Sequence, residues 1–147
     1  MNTSQPTRQE TQVQSGRPST PALVRRGALA GAAASVGNTA GAAIARAAGV
    51  SLEVDAVAIP IAAFALWTLV GAALGALMAR LLRVRRRFLV VTIVATGLSL
   101  VPAIALPDDA ATKVVLVAAH LLAATVIIPI LGLGLTTVAA NGRTRDR

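Results

Sequence analysis

Residues 56–109 read AVAIPIAAFALWTLVGAALGALMARLLRVRRRFLVVTIVATGLSLVPAIALPDD, and they decide the fold. Two apolar runs, Ala56 to Ala79 and Phe88 to Leu106, flank the basic segment RLLRVRRR, Arg80 to Arg87, and the second run stops at the acidic pair Asp108 and Asp109. A helix needs roughly 17 to 25 predominantly apolar residues to cross the hydrocarbon core of a bilayer. Both runs are long enough. Working outward, Val24 to Ala45 and Val114 to Ala139 are runs of the same kind. The expected fold is all-α, a four-helix transmembrane bundle with spans 24–45, 56–79, 88–106 and 114–139. The spans make up one transmembrane domain, 24–140, between an N-terminal tail and a basic C-terminal tail, 141–147. Residues 1–23 are rich in Ser, Thr, Gln and Pro with little to bury, which predicts a disordered tail.

Composition points the same way. The chain has 147 residues, 55% of them hydrophobic and 14% charged, more apolar surface than one soluble core of this size hides. Only 2% are aromatic, so the apolar mass is alanine, leucine and valine, with glycines where helices can approach closely. There is no cysteine, which removes disulfides, thiolate metal sites and thiol catalysis.

The net charge of +8 raises the question of nucleic acid, and its placement answers against that partner. Arg8, Arg17, Arg25, Arg26, Arg80, Arg83, Arg85, Arg86, Arg87, Arg143, Arg145 and Arg147 lie in the two tails and the second loop, opposed only by Glu10 and Asp146. The first and third loops carry Glu53, Asp55, Asp108 and Asp109 against Arg46 and Lys113. Cytoplasmic loops are enriched in Lys and Arg near span ends, so both termini and the Arg80–Arg87 loop are expected in the cytoplasm of a bacterial cell, below a multi-pass cytoplasmic-membrane domain. This strong bias makes any homo-oligomer parallel. The arginines of the second loop, Arg80, Arg83, Arg85, Arg86 and Arg87, are an orientation signal first and a candidate contact for anionic lipid second. The outer acidic residues read as solvated charge rather than a divalent-cation site.

Helical spacing puts Gly27, Gly31, Ser35, Asn38, Gly41, Ala42 and Ala45 on one side of the first span. Gly27 with Gly31, and Gly37 with Gly41, make two GxxxG spacings of the kind that brings membrane helices together. The second span aligns Pro60, Phe64, Trp67, Gly71, Gly75 and Met78, and Trp67, near mid-membrane, is expected to point into the bundle because its indole N–H needs an acceptor. Thr92, Thr96 and Ser99 share a face of the third span, and His120 and Pro129 lie in the fourth.

Counted from the outer ends at about 1.5 Å per residue, Asn38, Ser99 and His120 share one depth, with Trp67 just beneath. An unpaired polar group in hydrocarbon costs several kcal/mol, so mutual hydrogen bonding is the expectation. The layer reads first as a structural bolt fixing helix register. Its alternative is a small site of a transporter or channel with His120 as proton acceptor or ligand contact. No carboxylate lies within a span to couple a proton relay. One histidine without cysteine builds no metal or haem site in a single chain, no phosphate-binding glycine loop is present, and no buried acid orients a serine–histidine pair. No cofactor and no enzymatic activity are expected. The function class that remains is a structural, regulatory or interaction component of the membrane.

Several of these residues also carry a resemblance. The internal Asn38 of an arginine-led first helix, Ile59–Pro60, Arg87–Phe88, Leu98–Ser99 with Pro102, and Thr112, His120 and Ile128–Pro129 together resemble a family of short, uncharacterised actinobacterial membrane proteins, a domain of unknown function, over about residues 22–140. The resemblance implies a four-helix integral membrane protein and no activity, with Asn38 and His120 as positions to test.

Overall fold

The structure, a computed structural model, describes residues 20–135. The segments expected as tails fall outside that range, except that Thr20 to Leu23 belong to the first helix. Four helices follow in order, α1 (Thr20–Ala47), α2 (Ile61–Leu82), α3 (Arg85–Ala105) and α4 (Ala110–Gly132), with a short hairpin of β1 (Glu53–Val54) and β2 (Val57–Ala58) between α1 and α2. All four helices are long and apolar enough to cross a membrane. Large apolar side chains such as Leu29, Val36, Leu66, Ile93, Leu98 and Val114 face outward. With so little core to bury them, their natural cover is lipid, and the chain is built as a multi-pass membrane protein.

Helix ends differ from the apolar runs because hydropathy stops at the first charge whereas arginine is a good helix former. The segment Arg80 to Arg87 is therefore not a free loop. α2 runs through Arg80 to Leu82, α3 starts at Arg85, and only Arg83 and Val84 connect them. Arg83 takes a left-handed φ of 51° and donates its N–H to the Ala79 carbonyl, which closes α2 in one residue.

The core lies along α1. A Cβ built on Gly31 would sit 2.7 Å from that of Ala72, and one on Gly27 would sit 3.0 Å from that of Ala76. Real Cβ atoms do not approach so closely, so these two glycines set the α1–α2 distance. The small-residue stripe is as expected at Gly27, Gly31, Ser35, Asn38 and Ala42, all buried. Gly41 is not part of it. Nothing lies within 4 Å of a Cβ there, and the Gly37–Gly41 spacing does no packing as a pair.

On α2 the buried residues are Phe64, Thr68, Ala72 and Ala79, one residue round from the face expected through Trp67, Gly71 and Gly75. The helix is apolar on every side, so hydropathy offers no contrast from which to choose a face. Side-chain size decides instead, and the alanines go to α1.

Two apolar clusters result. One gathers Leu23, Ala30, Ala34, Ala72, Ala79, Phe88, Ile127 and Leu131 towards the arginine end. The other joins Ala42, Leu52 and Phe64 under the hairpin. α3 packs mainly against α4 and less against α2.

The hairpin end is tied down by polar contacts. Asp109 caps α4 through Oδ1, which accepts the Thr112 N–H at 2.8 Å, while its Oδ2 accepts the Ser51 hydroxyl at 2.9 Å. The Leu52 N–H donates to the fully buried Thr112 hydroxyl at 3.2 Å, Ile59 N–H donates to the Leu52 carbonyl, and Arg46 donates to the Ile59 carbonyl at 2.7 Å. The Asp55–Ala56 turn has positive φ at both residues, the primed form that suits a two-residue hairpin. The Thr112 hydroxyl and amide, with the Ser51 hydroxyl, hold the Asp109 carboxyl down to about 2.

Candidate functional site

Between α2, α3 and α4 lies a cleft of about 710 Å³. It exists because α2 turns glycine towards α3. Gly71 has nothing within 4 Å of a Cβ, and α3 presents Ala95, Thr96 and Ser99 to the same cleft. Along α2 the cleft reaches from Ala63 to Met78, about 22 Å at the helical rise. Phe88, fully buried, stands at the arginine end, and Trp67, Val70 and Val91 sit at its exposed lip.

All four residues of the expected polar layer line this cleft, Asn38, Trp67, Ser99 and His120. They share a cavity but not a network. Asn38, 5% exposed, donates through Nδ2 to the Thr68 hydroxyl at 2.8 Å and to the Ala119 carbonyl at 3.1 Å, so it ties α1 to α2 and α4. Ser99 donates to the Thr96 carbonyl of its own helix at 2.7 Å, and His120 Nδ1 lies 2.7 Å from the Leu116 carbonyl of its own helix. Both therefore satisfy themselves one turn back, as hydroxyl-bearing residues in membrane helices do. The mutual layer is corrected to a single interhelical residue, Asn38, with two locally bonded neighbours.

Trp67 is a second correction. It is 70% exposed and forms the lip rather than the interior, because its face of α2 opposes the cleft instead of α1. The residue that sequence reasoning missed is Thr68, whose hydroxyl accepts from Asn38 and donates to the Phe64 carbonyl at 2.6 Å. The signal was present, since Thr68 is the one hydroxyl in the second apolar run.

The amide orientation of Asn38 follows from its partners. The Ala119 carbonyl can only accept, and the Thr68 proton is already given to Phe64, so both contacts require Nδ2. Asn38 Oδ1 is left buried without a hydrogen-bond partner, as is the Thr39 hydroxyl on the neighbouring face.

Thr92 and Thr96 add two hydroxyls from α3; the rest of the wall is apolar, and no charged side chain contributes to it. The acidic side chains of the described residues sit elsewhere, at the hairpin end, where Asp109 is spent on capping. Among the described residues no group of three acidic or histidine side chains converges as a metal site would need. The arginines at the opposite end, Arg80, Arg83, Arg85, Arg86 and Arg87, are all exposed, and so are Arg25 and Arg26.

No curated protein and no solved structure matches this chain. A family of unknown function, DUF6069, matches residues 18–137, which takes in every helix and both walls of the cleft, and the chain belongs to that family.

Proposed function

We propose that this protein is an interaction component of the bacterial cytoplasmic membrane that takes an apolar molecule from the bilayer into the cleft between α2, α3 and α4. The cleft carries the reading. It is the size of a small-molecule site, lined by apolar side chains with a few polar atoms at one level, and its lip opens between helices rather than towards water. Both termini are cytoplasmic in this reading, since the arginines gather at the end where α2 meets α3 and the carboxylates at the other. Anionic lipid headgroups are the partners of the exposed arginines, each gaining about 1 kcal/mol near such a surface. Any self-association is parallel, and no catalytic step is involved.

A transporter or channel using Asn38, Ser99 and His120 is the second reading, favoured by their common cavity. The two differ in what fills the cleft. Single cysteines from Gly71→Cys and Ala95→Cys, made in a chain that has none, separate them in membranes. A lipid-filled cleft reacts with a bilayer-partitioning maleimide and is spared by a charged, water-soluble thiol reagent. Rapid modification by the charged reagent overturns the binding reading in favour of a water-filled path.

A further inference from the structure

The hydrogen-bond inventory of the cleft is unbalanced, and the imbalance specifies its guest. Asn38 has spent both amide protons, and its unpaired Oδ1 is buried out of reach of a guest. His120 Nδ1 faces a carbonyl, which only accepts, so the tautomer is the one with Nδ1–H, and in it Nε2 is an acceptor. Ser99 has given its proton to Thr96 O. Thr92 has given its own to the Phe88 and Leu89 carbonyls. Two cleft side chains keep an uncommitted proton, the Thr96 hydroxyl and, at the lip, the Trp67 indole. Beside Ser99 and His120 the wall therefore offers two acceptors, the Ser99 hydroxyl oxygen and His120 Nε2, and one hydroxyl donor, Thr96.

Charge narrows the choice further. With no Lys or Arg in the wall, an anionic headgroup would be desolvated without a partner, and with no Asp or Glu an ammonium would be too. An ether or ketone brings no proton. A neutral hydroxyl both gives a proton to an acceptor such as His120 Nε2 and takes one from Thr96. Shape supplies the rest. From the level of Thr68, where Asn38 is bonded, the cleft continues to Met78, about 15 Å of apolar wall ending near Phe88.

We propose that the cleft holds an uncharged, long-chain alcohol or phenol, its hydroxyl beside Thr96, Ser99 and His120 and its chain running towards Phe88. This rests on the reading of the cleft as a binding site for an apolar molecule.

Trp67 is the only tryptophan of the chain and stands at the lip, so its fluorescence reports occupancy. Octadecanol dibrominated at mid-chain is titrated into the full chain in nanodiscs, against the dibrominated octadecane that lacks only the hydroxyl. The alcohol is expected to quench Trp67 saturably, with the alkane weaker by about tenfold, the ratio one hydrogen bond supplies. The double variant His120→Leu/Thr96→Val should bring the alcohol to the level of the alkane. Its folding is preserved because neither side chain bonds another helix. Gly71→Leu, which fills the cleft, should abolish saturation.

Equal, saturable binding of alcohol and alkane overturns the hydroxyl assignment and leaves the binding reading standing. Saturation that survives Gly71→Leu puts the ligand elsewhere and overturns the proposal. If neither ligand saturates, the proposal and the binding reading fall together.

Discussion

The two sides of this bundle are built from the same small and apolar residues and have opposite outcomes. Along α1, glycine meets alanine, the helices close to contact, and one amide bonds across three helices. Along α3, the open Gly71 meets no side chain that reaches it, Thr92 and Ser99 bond back to their own helix, and a cleft remains. A glycine therefore tightens a membrane helix pair only where the partner offers a surface that reaches into its notch. Where no partner side chain reaches the notch, as at Gly71, it is left open as part of a cleft. Association in lipid depends on such fit because lipid tails are as apolar as leucine and nothing is gained merely by leaving them.

The largest test of that contrast is Gly31→Ala. The new methyl would stand 2.7 Å from the Ala72 Cβ, so α1 and α2 must separate. The expected loss is about 1–3 kcal/mol, the usual cost of overpacking, read as reversible unfolding in mixed micelles. Adding Ala72→Gly should restore most of it, since the methyl is then only moved across the interface. A loss without rescue would mean that the glycine is needed for something other than distance.

Next in size is Asn38→Leu, with an expected loss of about 1–2 kcal/mol for two interhelical hydrogen bonds. Ser99→Ala and His120→Leu should each lie within about 0.5 kcal/mol of wild type, because both residues bond only their own helices. In a double-mutant cycle Asn38 and His120 should be additive. Coupling above about 0.5 kcal/mol would restore the mutual layer that the depth of these residues suggests.

The limits of sequence reading show here in physical form. Depth along a span follows from counting residues, so it was legible that Asn38 meets α4 beside His120. Partner choice was not, since a hydroxyl or imidazole has an intrahelical carbonyl always within reach. The α1 stripe was legible because small residues recur on one face. The packed face of α2 was not, because every face is apolar and only the shape of α1 chooses among them. The hairpin escaped for another reason. Its turn is Asp55–Ala56, without the glycine that marks such turns, and it is held from outside by Leu52 on Thr112.

That outer clamp belongs to the tight side, joining the segment after α1 to the start of α4, and pH tests it. Asp109 titrates at about 2 when folded and near its ordinary 3.8 when unfolded. A lowered folded value contributes stability that is complete above about 4 and lost as pH falls towards 2. Wild type should therefore weaken across that window, and Asp109→Asn should remove the part of the slope due to this group. An unchanged slope would mean that the carboxylate is not held by Thr112 and Ser51. Ala56→Gly acts in the same region with a smaller effect. It relieves a β-carbon at φ 60° and should raise stability by about 0.5 kcal/mol.

The smallest expected effect is the most discriminating, because it sets a larger side chain against the same glycine chemistry that fails at Gly31. Gly71→Leu adds four carbons to a position where nothing lies within 4 Å, and they enter the cleft. In water such filling would stabilise a protein by removing apolar surface from solvent. In a bilayer the displaced material is a lipid chain, so the exchange is hydrocarbon for hydrocarbon and the change in stability should be within about 0.5 kcal/mol. A clear gain would mean that the cleft is empty in the folded protein, because only a void rewards filling. A clear loss would mean that α3 closes on α2 in the membrane, and the two sides of the bundle would then differ less than their packing implies.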